Sequence, residues 1–161
     1  HYFTIIELKT ARFMAACMKM GGVKGGFSEE ESDILYNAGL NLGFAFQIVD
    51  DALDVMDDSA MTGKDGGNDF LEGKVTLPFL HLLENVDGGE RSKLTEYAKN
   101  PTPEGWEYVR RRIREAGAME YSLEVAMGYN RKLIELMGTF PSSPCRDIIL
   151  NLSKFLVERN Y

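Results

Sequence analysis

From Ser28 to about Val55 the chain holds one unbroken helical pattern, and no other stretch limits its architecture as much. Ser28 and Glu31 form a capping box, in which each side chain reaches the other's unpaired backbone N–H and starts the helix. The pattern ends in FQIVDDALDVMDD, residues 46–58, where five aspartates fall within nine positions directly after an apolar run. Carboxylates this close repel one another, and taking one out of water without a partner costs several kcal/mol. Something positive is expected among them: solvent cations, a lysine or a metal.

The rest of the chain is read the same way. Phe3, Ile6, Lys9 or Thr10, Phe13 and Cys17 recur at steps of three and four, so residues 2–20 are expected to be a helix stopped by Gly21 and Gly22. Residues 57–73 are rich in Gly, Asp, Ser and Asn, which marks a long loop with room for one helical turn, of the kind that serves as a lid or binding loop. A helix follows from Val75 to Leu83, with Pro78 tolerated in its first turn. Further helices are expected at 90–99, 104–116, 119–138 and 143–159. No strand-like alternation of useful length occurs, so the fold class is all-α, helices layered on helices.

With 161 residues, 44% hydrophobic and 27% charged, the chain can bury one substantial core. A formal charge of −7 argues against a nucleic-acid surface, because phosphate backbones need a basic field. No apolar run reaches the roughly 18 residues that span a bilayer, and no signal pattern opens the chain, so a cytoplasmic protein is expected. Helical periodicity is already present at residue 2, as in a chain entered midway. Cys17 and Cys145 fit neither a metal site nor a disulfide framework and are expected to be buried free thiols.

At about 100° per residue, Asp50, Asp51 and Asp54 share an arc of about 100° on their helix. The stripe continues backward through Gly43, Leu40, Gly39 and Tyr36. Each glycine costs a helix about 1 kcal/mol relative to alanine, so something is expected to approach the backbone closely. Acids at a helix C-terminus oppose the macrodipole unless a cation compensates. Hard oxygen donors without His or Cys select Mg²⁺ or Ca²⁺. The EF-hand spacing fails after Asp50 and Asp54, and Mg²⁺ typically binds through one or two carboxylates plus water and phosphate.

Lys64 in TGKDGGNDF and Lys74 in EGKVT flank a glycine-rich stretch that can approach an anion. A Walker A loop is excluded, because Asn68 stands where its first glycine belongs and Val75 replaces its Ser or Thr. Lys9 and Thr10 add a cation and a hydroxyl. Singly these lysines are solvated surface residues; with the aspartates they describe a diphosphate site.

The runs IELKTARF, GLNLGFAFQIVDDALDV and TGKDGGNDFLEGKVTLP closely resemble the C-terminal half of trans-isoprenyl diphosphate synthases, the polyprenyl synthetases. The likeness covers residues 2–83; beyond residue 84 it is a similar helical pattern. It implies an all-α isoprenoid synthase fold around a central cavity, usually in a homodimer, with residues 1–161 forming the C-terminal part of one domain. In that family Asp50, Asp51 and Asp54 would be the second aspartate-rich motif, holding Mg²⁺ against the diphosphate of an allylic substrate. Lys9 and Lys64 would contact the same diphosphate, Lys74 would be a further basic partner, and Thr10 and Gln47 would face the developing allylic cation. Isopentenyl diphosphate would be the second substrate, and the apolar stripe above the carboxylates would line the tunnel for the growing chain.

One departure is large. The family's earlier DDxxD and the arginines that bind isopentenyl diphosphate have no counterpart in these residues, and Asp57 and Asp58 lie just past the same helix. The chain by itself is therefore expected to be inactive. Three other readings compete: a non-catalytic partner subunit of the same fold, a terpene cyclase, and a helical interaction domain with an acidic patch. DDALD differs from the Asn/Ser/Glu type of second motif common in cyclases. His81 is expected to be an ordinary interior or surface histidine, and Trp106 with Arg110, Arg111 and Arg112 to lie on a helix with one packed and one solvated face. Met14, Met18, Met20, Met119, Met127 and Met137 are expected to fill the core.

Overall fold

The computed structural model describes residues 1–56 and 66–158. Among the described residues every regular element is helical: α1 (Tyr2–Ile6), a π-helical segment (Glu7–Ala11), α2 (Arg12–Lys24), α3 (Glu29–Met56), α4 (Asn68–Leu71), α5 (Leu77–Glu84), α6 (Gly88–Lys99), α7 (Pro103–Glu115), α8 (Ala118–Gly138) and α9 (Pro144–Val157). The all-α expectation holds. The chain divides into two compact units, one of His1–Val49 with Glu124–Tyr161 and the other of Asp50–Leu123.

In the first unit α3 begins as its sequence dictates. The Ser28 N–H donates to Glu31 Oε2 at 2.8 Å, and the Glu31 N–H donates to Ser28 Oγ at 3.1 Å. Glu29, Glu30 and Glu31 crowd the first turn, where negative charge suits the helix dipole.

The first helix does not stop where expected. It runs through Gly21 and Gly22 to Lys24 and closes on Gly26, which takes the left-handed φ of +83°. The Phe27 N–H reaches the Gly22 carbonyl at 3.1 Å and the Gly26 N–H reaches that of Val23 at 3.2 Å, the paired bonds of a Schellman ending. Gly22 is a packing residue instead: a Cβ there would meet Leu35 Cδ1 at 2.6 Å.

The close approach expected at Gly39 and Gly43 is made by the first helix. A Cβ on Gly39 would fall 2.7 Å from Ala15 Cα, and one on Gly43 would overlap Ala11 Cα. The two glycines are therefore a helix-packing seam and not a bare tunnel wall. Beside this seam, Leu35 and Ala38 of α3 pack with Leu133, Met137 and Phe140, and Phe44 stacks on Tyr129 with ring centroids 4.7 Å apart.

The core of the second unit gathers Ala52 and Val55 of α3 with Phe70, Phe79, Leu82, Trp106 and Ile113, among others. As expected, α5 carries its proline in the first turn. His81 stacks on Tyr121 at 4.0 Å, an ordinary packing role.

Two expectations about burial fail. Cys17 and Cys145 are both exposed, because their faces of α2 and α9 look outward. Met119 and Met137 are core residues, but Met20 is 63% exposed, on the outer side of α2 near its end.

Candidate active site

The catalytic candidates Lys9 and Thr10 sit inside the π-helical segment, a feature that periodicity did not reveal. The widened turn is closed by the Arg12 N–H bonding to the Glu7 carbonyl, five residues back. One residue is thereby inserted into the helix, and such insertions are frequent at functional sites. Lys9 is exposed and Thr10 half-buried. The Thr10 hydroxyl donates to Gln47 Oε1 at 2.8 Å, and Gln47 is only 4% exposed. The structure thus brings together Thr10 and Gln47, a pair 37 residues apart in sequence.

Gln47 continues along α3 to the three aspartates, three, four and seven residues on, which places all four on one helix face. Their surroundings differ. Asp50 is exposed, Asp51 is 5% exposed, and Asp54 is half-buried.

Asp54 has a second task. The Asn68 N–H donates to its Oδ1 at 3.1 Å and the Asp69 N–H to its Oδ2 at 3.0 Å, while the Gly67 N–H reaches its backbone carbonyl at 2.8 Å. The start of the GND stretch is therefore clipped to the third aspartate by three backbone donors.

Lys74 is engaged within its own loop. Its ammonium contacts Asp69 at 2.8 Å and Glu72 at 2.7 Å, and these carboxylates, Asp69 first, hold its pKa above the ordinary 10.5. Its charge serves the loop's own balance in this structure. Lys64, Asp57 and Asp58 lie outside the described residues.

The donor set suits a hard divalent cation: carboxylate oxygens alone, three on one helix face, one of them buried. Among the described residues no group of three acidic, His or Cys side chains is gathered so that it could hold a metal ion. No helix of the described residues is long and apolar enough to cross a membrane.

The family model described as polyprenyl synthetase matches residues 1–113. The chain belongs to the polyprenyl synthetase family. Its similarity to the short chain isoprenyl diphosphate synthase of Methanothermobacter thermautotrophicus is 32% identity over 160 residues, 99% of this chain and 49% of that protein. The heptaprenyl diphosphate synthase component 2 of Bacillus subtilis is 31% identical over 99% of this chain and 45% of its own length. Among solved structures, the polyprenyl synthase of Caulobacter crescentus CB15, complexed with calcium and isoprenyl diphosphate, superposes with a TM-score of 0.89 at 35% identity, over 99% of this chain and 49% of that one. The chain spans about half the length of the curated relatives it matches. The likeness extends past residue 84: the family model reaches residue 113, and the relatives align over nearly the whole of this chain.

Proposed function

We propose that this chain carries the half of a trans-prenyltransferase, an isoprenyl diphosphate synthase, that binds Mg²⁺ and an allylic diphosphate. In this reading residues 1–161 are the C-terminal part of one polyprenyl synthetase domain. The observation that supports it most is the single face of α3 on which Gln47, bonded to Thr10, leads to Asp50, Asp51 and Asp54.

Asp50, Asp51 and Asp54 would hold Mg²⁺, which when bound neutralises negative charge on the departing pyrophosphate. Lys9, exposed on the π turn, meets the same diphosphate, joined by Lys64; Lys74 contributes through the loop it braces. The Gln47 amide oxygen and the Thr10 hydroxyl oxygen present lone pairs toward the positive charge that grows on the allylic carbon as its C–O bond breaks. The double bond of isopentenyl diphosphate attacks that carbon, and loss of a proton restores neutrality. Water has to be kept from the cation, and the buried setting of Gln47 and Asp51 favours this. The full protein is read as a cytoplasmic homodimer. The 161 residues alone are inactive, because the first aspartate motif is supplied from elsewhere.

A second reading is a partner subunit whose chemistry is completed by another chain, suggested by the relative named as component 2 of a heptaprenyl diphosphate synthase. An upstream DDxxD in the full gene favours the first reading, and its absence the second.

The decisive experiment is thermal melting of the 161-residue chain. Mg²⁺ and pyrophosphate together raise the melting temperature, whereas Mg²⁺ alone and Mg²⁺ with a nucleotide do not. Ligand at a hundred times its Kd stabilises the fold by about 2.7 kcal/mol, which a melt resolves easily. No shift with Mg²⁺ and pyrophosphate, or robust turnover by the isolated chain, overturns this reading.

A further inference from the structure

Two residues one turn apart on α7 converge on the end of α3 that carries the aspartates. The Arg110 side chain, 12% exposed, donates from Nε to the Val55 carbonyl at 3.1 Å and from Nη2 to the Met56 carbonyl at 3.5 Å. These carbonyls belong to the last described turn of α3. The guanidinium also puts positive charge beside the stretch of α3 that carries the aspartates.

Trp106 acts on the other side of the same junction. Its indole is 5% exposed and lies against Gly67, where any Cβ would overlap the ring. Gly67 adopts φ +87°, a left-handed conformation that glycine enters without strain. From there its N–H and those of Asn68 and Asp69 reach Asp54. One α7 residue therefore sets the end of α3, and the other sets the backbone donors that grip the third aspartate.

We propose that Trp106 and Arg110 are positioning residues for the metal and diphosphate site, acting through the direction of the Asp54 carboxylate. The inference rests on the function proposed above for what Asp54 holds. An ordinary core residue or helix cap would affect stability alone, whereas a positioning pair changes the grip on Asp54 and the affinity for ligand.

The test uses the 161-residue chain with Arg110→Met, Arg110→Lys and Trp106→Phe. Amide hydrogen exchange is read at Asn68 and Asp69, with Leu133 and Leu156 as controls in the other unit. Calorimetry gives the Kd for pyrophosphate in the presence of Mg²⁺. Arg110→Met is expected to speed exchange at Asn68 and Asp69 by roughly tenfold, with the controls unchanged, and to weaken pyrophosphate binding by a similar factor. Arg110→Lys and Trp106→Phe, which keep charge or ring and are milder for folding, fall between it and wild type in both readouts. Exchange at the two amides that stays at the wild-type rate, or rises equally at the controls, overturns the proposal. So does faster exchange with an unchanged Kd. If wild type binds no pyrophosphate while exchange responds as expected, the proposed function fails and the α7 control of Asp54 stands.

Discussion

The hydroxyl of Thr10, in the π-helical turn, donates to the side-chain carbonyl of Gln47 on α3 at 2.8 Å. A buried amide oxygen that loses its donor bears a desolvation penalty of about 1–3 kcal/mol. Thr10→Val is therefore expected to lower unfolding free energy in urea by that amount. In a double-mutant cycle with Gln47→Leu the two effects couple, and the double variant recovers part of the loss. Additive behaviour would show that the bond contributes nothing.

Gly43→Ala sets two effects against each other. Alanine gains about 1 kcal/mol of helix propensity over glycine. Its methyl, however, would overlap the backbone of Ala11, which cannot swing aside as a side chain can. Overpacking of this kind costs about 1–3 kcal/mol, so thermal melting is expected to show net destabilisation. A more stable variant would mean the seam is looser than it stands.

Acid sensitivity arises partly at Glu90, whose carboxylate accepts from Arg112 Nε at 2.9 Å and from the Tyr108 hydroxyl. Arg112 pulls the carboxyl below its ordinary 4.5; burial opposes this and Tyr108 adds to the lowering. The unfolded chain then binds a proton more readily than the folded one, so this contribution is complete above about pH 4.5 and fades as pH falls through the lowered value. Glu90→Gln is expected to flatten that part of the acid limb in melting temperature against pH, leaving the neutral plateau lower. An unchanged acid limb would remove Glu90 from the account.

Asp50→Asn and Asp51→Asn separate the acidic face from the fold. Asp50 is exposed, and its variant is expected to lose the shift given by Mg²⁺ with pyrophosphate. Asp51 is buried, and its variant is expected to alter both that shift and the melt without ligand. Retention of the full shift in both variants would place the ligand elsewhere.

Helix positions were legible in the sequence because their signals are local. The Ser28 and Glu31 cap, the proline in the first turn of α5 and the three-and-four spacing each depend on neighbours within a few residues. The shared face of Gln47 and the aspartates follows from helix geometry alone. Gly22 shows where local reading ends: a glycine pair near a helix end looks like a stop, but its missing side chain is space for Leu35.

The sequence by itself determined the elements, the family and the row of carboxylates, since these follow from residue type and spacing along one chain. Only the tertiary structure decided that Thr10 meets Gln47, that the Gly39 and Gly43 stripe receives a helix, and that Arg110 and Trp106 converge near Asp54. The reason is physical: such contacts join residues tens of positions apart, and packing selects among them by shape and by the need to satisfy each buried polar group.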